Sequence, residues 1–109
     1  MLIECVEDFR LFLLSKGFQQ IGTIGNVYCL TNDDGSMTFE VNITNKTMIA
    51  TIPDFQYNMI YPQARRNSTF TLQIKDFRTI QVDVDNFMSR INELYDKKER
   101  NIIYATKIQ

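Results

Sequence analysis

The sequence predicts an α+β fold in which a single antiparallel sheet of about five strands carries an N-terminal and a C-terminal helix. Residues 37–43 have the clearest strand pattern, because apolar and polar side chains alternate at every position. Residues 3–16 and 84–100 instead repeat apolar side chains at helical spacing. One sheet with both helices on the same face gives each of these apolar faces a partner.

The first predicted element is a helix over residues 3–16, which Gly17 ends because glycine adopts the left-handed conformation freely. One side of this helix is a broad apolar stripe expected in the core. The stripe comprises Leu2, Cys5, Val6, Phe9, Phe12 and Leu13. Ile3, Leu11 and Leu14 project on the other side. A helix that packs on a sheet through one face does not need them, so they are predicted to mediate self-association.

Three strands are expected over residues 27–31, 37–43 and 47–52, and turn-forming Asn, Asp and Gly residues separate them. Together they form a meander with one apolar face. Residues 18–24 form a further, less regular strand, because Gly22 interrupts it.

Residues 53–68 are longer than most connections in a compact domain, and the sequence leaves open whether they form a helix or a loop. Their first two residues suit the start of a short helix, which Pro62 would end. Beyond them, residues 70–74 and 80–84 alternate in polarity and predict a second hairpin.

The last predicted helix covers residues 84–100 and has one apolar and one polar face. Residues 101–109 are expected to form an edge strand or a frayed tail. Ile102, Ile103 and Tyr104 are too apolar to be left in water, so they form a second segment predicted to mediate self-association. Two arrangements follow: a homodimer, or a monomer whose tail covers the first helix.

Composition limits the classes of function. The chain has 109 residues, of which 44% are hydrophobic and 23% charged, as expected for one globular domain. The net charge of −1 gives no overall reason to bind nucleic acid or an anionic membrane. Neither an export signal nor an apolar run of about 20 residues is present, so a cytoplasmic protein without a membrane segment is expected.

The sequence offers little catalytic apparatus. Without histidine, a general base near neutral pH would have to be a carboxylate or lysine with a shifted pKa. Cys5 and Cys29 do not form a CxxC pair, so a zinc site is not expected and both are predicted to be buried thiols. We therefore expect no enzymatic activity, no cofactor and no metal.

The candidate binding residues lie on the long connection. Residues 63–82 carry four basic side chains against one acidic side chain, and they adjoin an aromatic segment. Tyrosine and arginine are enriched at binding hot spots. The predicted partner-binding residues are Tyr57, Tyr61, Arg65 and Arg66. Alternatively, the aromatic side chains cover one end of the sheet and the arginines are solvated, or the tyrosines stack on bases while the arginines contact phosphates.

One resemblance adds a further hypothesis. Gly17-Phe18 follows the first helix, and residues 34–42 read Asp-Gly-Ser-Met-Thr-Phe-Glu-Val-Asn. This combination resembles the double-wing C-terminal domain of the phage middle-gene transcription activator MotA, which has Gly-Phe after its first helix and a Phe-Glu-aliphatic-Asn strand after a turn glycine. The resemblance implies DNA binding, although the loop lengths differ and this chain lacks a basic excess.

The sequence as a whole favours a small non-enzymatic protein-binding module. Its small size and its abundance of Asn, Ile and Thr favour an accessory or inhibitor protein of a phage or mobile element, acting on a host protein in the host cytoplasm. The alternative is a DNA-binding transcription-regulator domain of the double-wing type.

Overall fold

A computed structural model of the protein describes residues 3–23 and 25–108, with side chains described up to residue 97. The elements follow in the order α1 (Val6–Ser15), β1 (Gln19–Ile21), β2 (Val27–Thr31), β3 (Thr38–Asn42), β4 (Thr47–Pro53), α2 (Phe55–Ile60), β5 (Asn67–Gln73) and α3 (Ile80–Ile108). This arrangement confirms the predicted α+β fold with a helix at each end of the chain.

The five strands form one antiparallel sheet in the order β1-β2-β3-β4-β5. The register places Tyr28 beside Val41, Val41 beside Met48 and Met48 beside Leu72. The first three of these side chains are fully buried, whereas Glu40 and Ile49 on the opposite face are exposed. The period-two alternation in the sequence therefore identifies the covered face correctly.

Both long helices cover the same face of the sheet and share one hydrophobic core. Phe9 and Leu13 of α1 are fully buried, and Phe87 of α3 meets Phe39 of β3 edge to face, with ring centroids 6.4 Å apart. Lys16 at the end of α1 pairs with Asp85 of α3, the Nζ–Oδ1 distance being 2.6 Å. Burial of each large apolar side chain contributes roughly 1.5–3 kcal/mol, so this face dominates the stability.

α1 corrects part of the prediction for the first helix. The helix begins at Val6, so Ile3 lies on the segment before it and is buried, with 3% of its surface exposed. The assignment of Ile3 to a self-association surface is therefore wrong, whereas Leu11 and Leu14 are exposed. Val6, which the sequence predicts in the core, is exposed, and Leu2 lies outside the described residues.

α1 ends at Ser15, and Gly17 follows two residues later in the predicted left-handed conformation, with a φ of 97° that favours glycine. The Gly17 amide donates to the Leu14 carbonyl, and the Phe18 amide donates to the Leu13 carbonyl, both at 3.1 Å. These bonds satisfy the last carbonyls of α1 and turn the buried Phe18 ring into the core.

The predicted second hairpin is wrong, because residues 80–84 form the first turn of α3 instead of a strand. Ile80 and Val84 are fully buried while Val82 is 61% exposed, which fits a helix, where positions four apart share a face. The Thr79 hydroxyl donates to the Asp83 carboxylate at 2.8 Å beside this turn. Apolar residues at 80, 82 and 84 fit one face of a strand, but Ile80 and Val84 are four positions apart and also share one face of a helix. The sequence pattern therefore could not distinguish the two structures.

α3 is longer than predicted in both directions. It starts four residues before Val84 and continues to Ile108, so residues 101–108 are helical and do not form the expected edge strand or tail. Gln109 and the side chains of Ile102, Ile103 and Tyr104 lie outside the described residues. None of the described helices combines the length and the apolar character needed to cross a membrane.

Candidate functional site

The connection between β4 and β5 contains a short helix, α2, as the two prolines suggested. Pro53 is the last residue of β4, and the Asp54 carboxylate caps the helix by accepting a hydrogen bond from the Tyr57 amide at 3.2 Å. The helix ends at Ile60, two residues before Pro62. None of the residues of α2 is buried.

The two ends of this connection are tied together at Arg66. The Asp54 amide donates to the Arg66 carbonyl at 3.1 Å. The Asn58 side chain contacts the same residue twice: its amide nitrogen donates to the Arg66 carbonyl at 3.0 Å, and its oxygen accepts from the Arg66 amide at 2.8 Å. The Arg66 Nε atom lies 3.0 Å from the Asp54 carboxylate. These bonds fix the position of α2 relative to the start of β5.

The predicted binding residues divide into two groups. Arg66, Tyr57 and Tyr61 form a stack: the Arg66 guanidinium carbon lies 3.8 Å from the centroid of the Tyr57 ring, and the two tyrosine rings are 4.9 Å apart. Tyr57 is half-buried inside this stack, so Tyr57 and Arg66 belong mainly to the framework. Arg65 is not part of the stack and lines a neighbouring cleft.

Three consecutive large side chains at the end of α2 are open to solvent. Met59 is 52% exposed, Ile60 is 60% exposed and Tyr61 is 53% exposed. We call these residues, together with the exposed Arg65, the α2 surface. Met59 and Ile60 were not among the predicted binding residues, although a helix of six residues has little capacity to bury a full apolar turn.

A cleft of about 760 Å³ lies between α2 and the turn that joins β2 to β3. Its lining includes Met59 and Arg65 on one side and Asp34 and Ser36 on the other. Tyr95 of α3 lies between them: its ring meets Phe55 edge to face at 5.4 Å, and its hydroxyl lies 2.7 Å from Ser36 Oγ. Tyr95 therefore connects the turn to α2.

Hydrogen bonds in the turn stabilise the charged form of one carboxylate in the cleft. The Asp34 carboxylate accepts from Ser36 Oγ at 2.6 Å and from the Ser36 amide at 2.9 Å. The side-chain hydrogen bond is the main cause that holds the pKa of Asp34 below its ordinary value. Asp34 is thus a carboxylate at neutral pH, on the wall of the cleft opposite Arg65.

Two of the four basic side chains in residues 63–82 have acidic partners. Arg66 pairs with Asp54, and Arg78 pairs with Asp76 at 2.9 Å. Within the five described strands, Glu40 is the sole charged residue. The open face of the sheet therefore offers no positive charge to a phosphate backbone.

The thiols differ from the expectation of two buried cysteines, since Cys5 is exposed and Cys29 is half-buried. Burial raises the pKa of the Cys29 thiol, with a smaller contribution from the charge of Glu40. Among residues 3–23 and 25–108, no three His, Cys, Asp or Glu side chains form a group that could hold a metal ion.

Comparison with known proteins adds no relative, because no protein-family model, curated protein or solved structure matches this chain.

Proposed function

We propose that this protein is a non-enzymatic protein-binding module that holds its partner through the α2 surface. The observation that carries the proposal is the exposure of Met59, Ile60 and Tyr61, each by more than half, at consecutive positions. Contiguous exposed apolar side chains are typical of interaction sites, because a monomer gains nothing from leaving them in water.

The framework beneath the α2 surface supports this proposal. Asp54, Asn58 and Arg66 hold the connection by four hydrogen bonds, and Tyr57 packs between Arg66 and Tyr61. A surface that is ordered before binding loses less conformational entropy when the partner arrives.

The chemistry of the surface indicates the kind of partner. Met59 adapts to irregular apolar surfaces, and Tyr61 combines a large ring with a hydroxyl group. Arg65 at the edge can pair with a carboxylate or with backbone carbonyl groups. The partner surface that fits these side chains is an apolar pocket with an acidic group at its rim.

The biological setting is part of the proposal. The α2 surface would suit an accessory or inhibitor protein of a phage or mobile element that acts by occupying a surface of a host protein. Such an activity requires binding alone and no catalytic group.

The proposal is tested by affinity capture from host lysate with matched variants. The test variant combines Met59→Ser, Ile60→Ser and Tyr61→Ala, and the control is Val82→Ser, because Val82 is an equally exposed apolar residue on α3. We expect one protein to be retained by the wild type and the control and lost with the triple variant. Retention of the same protein by the triple variant, with unchanged circular dichroism, would contradict the proposal.

A second arm separates protein binding from the DNA-binding alternative of the double-wing type. The wild type is titrated with duplex DNA at two salt concentrations. Because Arg66 and Arg78 already have acidic partners, we expect weak binding. Tight binding that falls steeply with salt would favour a DNA-binding regulator instead.

A further inference from the structure

The sheet has two edge strands, and only one of them carries the usual protection against pairing. β1 is short, Gln19–Ile21, and Gly22 with a φ of 77° follows it. β5 runs over seven residues, Asn67–Gln73, and contains neither a charged residue nor a proline. Natural edge strands are generally kept short, charged or interrupted, because their free backbone groups otherwise pair with another chain. β5 has none of these features.

The hydrogen bonds at the two ends of β5 show which of its backbone groups face outward. The Ile74 amide donates to the Lys46 carbonyl at 2.8 Å, and the Asp54 amide donates to the Arg66 carbonyl at 3.1 Å. Hydrogen-bonded and non-hydrogen-bonded pairs alternate along an antiparallel ladder, so the even-numbered residues of β5 bond to β4. The backbone groups that point away from β4 belong to Asn67, Thr69, Thr71 and Gln73.

These outward groups are self-complementary. If two β5 strands pair antiparallel about a two-fold axis at Phe70, Thr69 lies opposite Thr71 of the second copy and Asn67 lies opposite Gln73 of the second copy. Every outward residue then belongs to a hydrogen-bonded pair. Shifting the axis to Thr69 or Thr71 would leave one outward residue unpaired, so the register centred on Phe70 is preferred.

The side chains along the edge favour the same arrangement. Phe70 and Leu72 are half-buried at the margin of the core, and pairing would bring each Phe70 ring to its symmetry mate. A groove of about 500 Å³ beside the edge is lined by Leu72 together with Asp83, Arg90 and Glu93 of α3. In the register centred on Phe70, Leu72 lies opposite Ser68 of the second copy, so this groove lies beside the paired edge.

We propose that two copies of this chain pair through β5 and form a continuous ten-stranded sheet. This pairing is independent of the proposed α2 surface, since it uses the backbone edge of residues 67–73. It also differs from the dimer expected from the first helix, for which the burial of Ile3 leaves only Leu11 and Leu14.

Sedimentation equilibrium with two variants tests the proposal. Thr71→Pro removes an amide that points away from β4, so it blocks pairing between copies without breaking a β4–β5 hydrogen bond. We expect the wild type to dimerise at high micromolar concentration and Thr71→Pro to raise the dimer dissociation constant at least tenfold, while Leu11→Asp leaves it unchanged. A monomeric wild type, or a dimer that only Leu11→Asp disrupts, would overturn the proposal.

Disulfide trapping reports the register and decides the question if Thr71→Pro does not fold. In a chain carrying Cys5→Ser and Cys29→Ser, Phe70→Cys places two thiols on facing residues about 4.5 Å apart between Cα atoms, within disulfide range. The control, Thr71→Cys, lies diagonally from its own copy at roughly 7–8 Å, beyond that range. We expect Phe70→Cys to form the covalent dimer at least ten times faster. Equal rates, or faster trapping of the control, would overturn the register and the proposal.

Discussion

Replacing Asp54 with alanine removes two interactions that position α2. The carboxylate caps the helix by accepting from the Tyr57 amide, and it pairs with the Arg66 guanidinium across the connection. None of the residues of α2 is fully buried, and Phe55 is only half-buried against Tyr95, so these polar contacts add to the limited packing that holds the helix in place. We therefore expect a loss of stability larger than that of an ordinary surface substitution.

The size of this loss follows from the geometry. Removal of an N-cap acceptor costs typically about 1 kcal/mol. The Arg66 side chain is 60% exposed, so its ion pair is screened by water and contributes about 0.5 kcal/mol. The sum is about 1.5 kcal/mol, which for a domain of this size corresponds to a fall in melting temperature of roughly 7 °C.

Thermal and urea unfolding of Asp54→Ala and Asp54→Asn measure the two parts separately. Asparagine keeps an oxygen that caps the helix but lacks the charge that pairs with Arg66. We expect Asp54→Asn to lose only about 0.5 kcal/mol. Equal losses in the two variants would refute the capping role, and an unchanged melting temperature in Asp54→Ala would refute the whole framework beneath α2.

Three further predictions concern single sites. Tyr57→Ala should lower the melting temperature clearly while Tyr61→Ala leaves it nearly unchanged, since only the first ring is enclosed in the stack; calorimetry of both variants checks this. Ser36→Ala should raise the pKa of Asp34 in a carboxyl NMR titration. Because the pKa of Asp34 is depressed in the folded protein, the ionised carboxylate stabilises the fold above about pH 4. This stabilisation is lost as the pH falls through the pKa of the folded state. On acidification, Ser36→Ala should therefore lose less stability than the wild type. Cys5→Ser should stabilise the protein by about 0.5–1 kcal/mol in urea unfolding, because Cys5 occupies the N-cap of α1 without a capping hydrogen bond.

The sheet was predictable because strand alternation depends on local sequence alone. Residues 37–43 alternate regularly, and the structure places Phe39 and Val41 on the covered face as expected. The error over residues 80–84 arose because Ile80 and Val84 satisfy both a strand and a helix. The two structures differ at Val82, which a strand would bury together with Ile80 and Val84 but which is exposed in the helix.

The sequence predicted which connection carries the clustered aromatic and basic residues, but not how those residues contact one another. Tyrosine and arginine in the connection indicated a binding surface, yet the sequence contains no signal that Arg66 packs on Tyr57 and pairs with Asp54. These contacts depend on the path of the chain between α2 and β5, which brings Arg66 beside Asp54 and Tyr57. For the same reason, the burial of Ile3 could not be foreseen, because it depends on α1 starting at Val6.

The most direct test of the proposed function is the affinity of the captured partner for two single-site variants, measured by calorimetry. Truncation of a hot-spot residue costs about 2 kcal/mol or more, so Tyr61→Ala should weaken binding roughly 30-fold. Val82→Ser, which changes a similarly exposed side chain on α3, should alter the affinity less than about twofold. Equal affinities of Tyr61→Ala and the wild type would contradict the assignment of the α2 surface as the binding site.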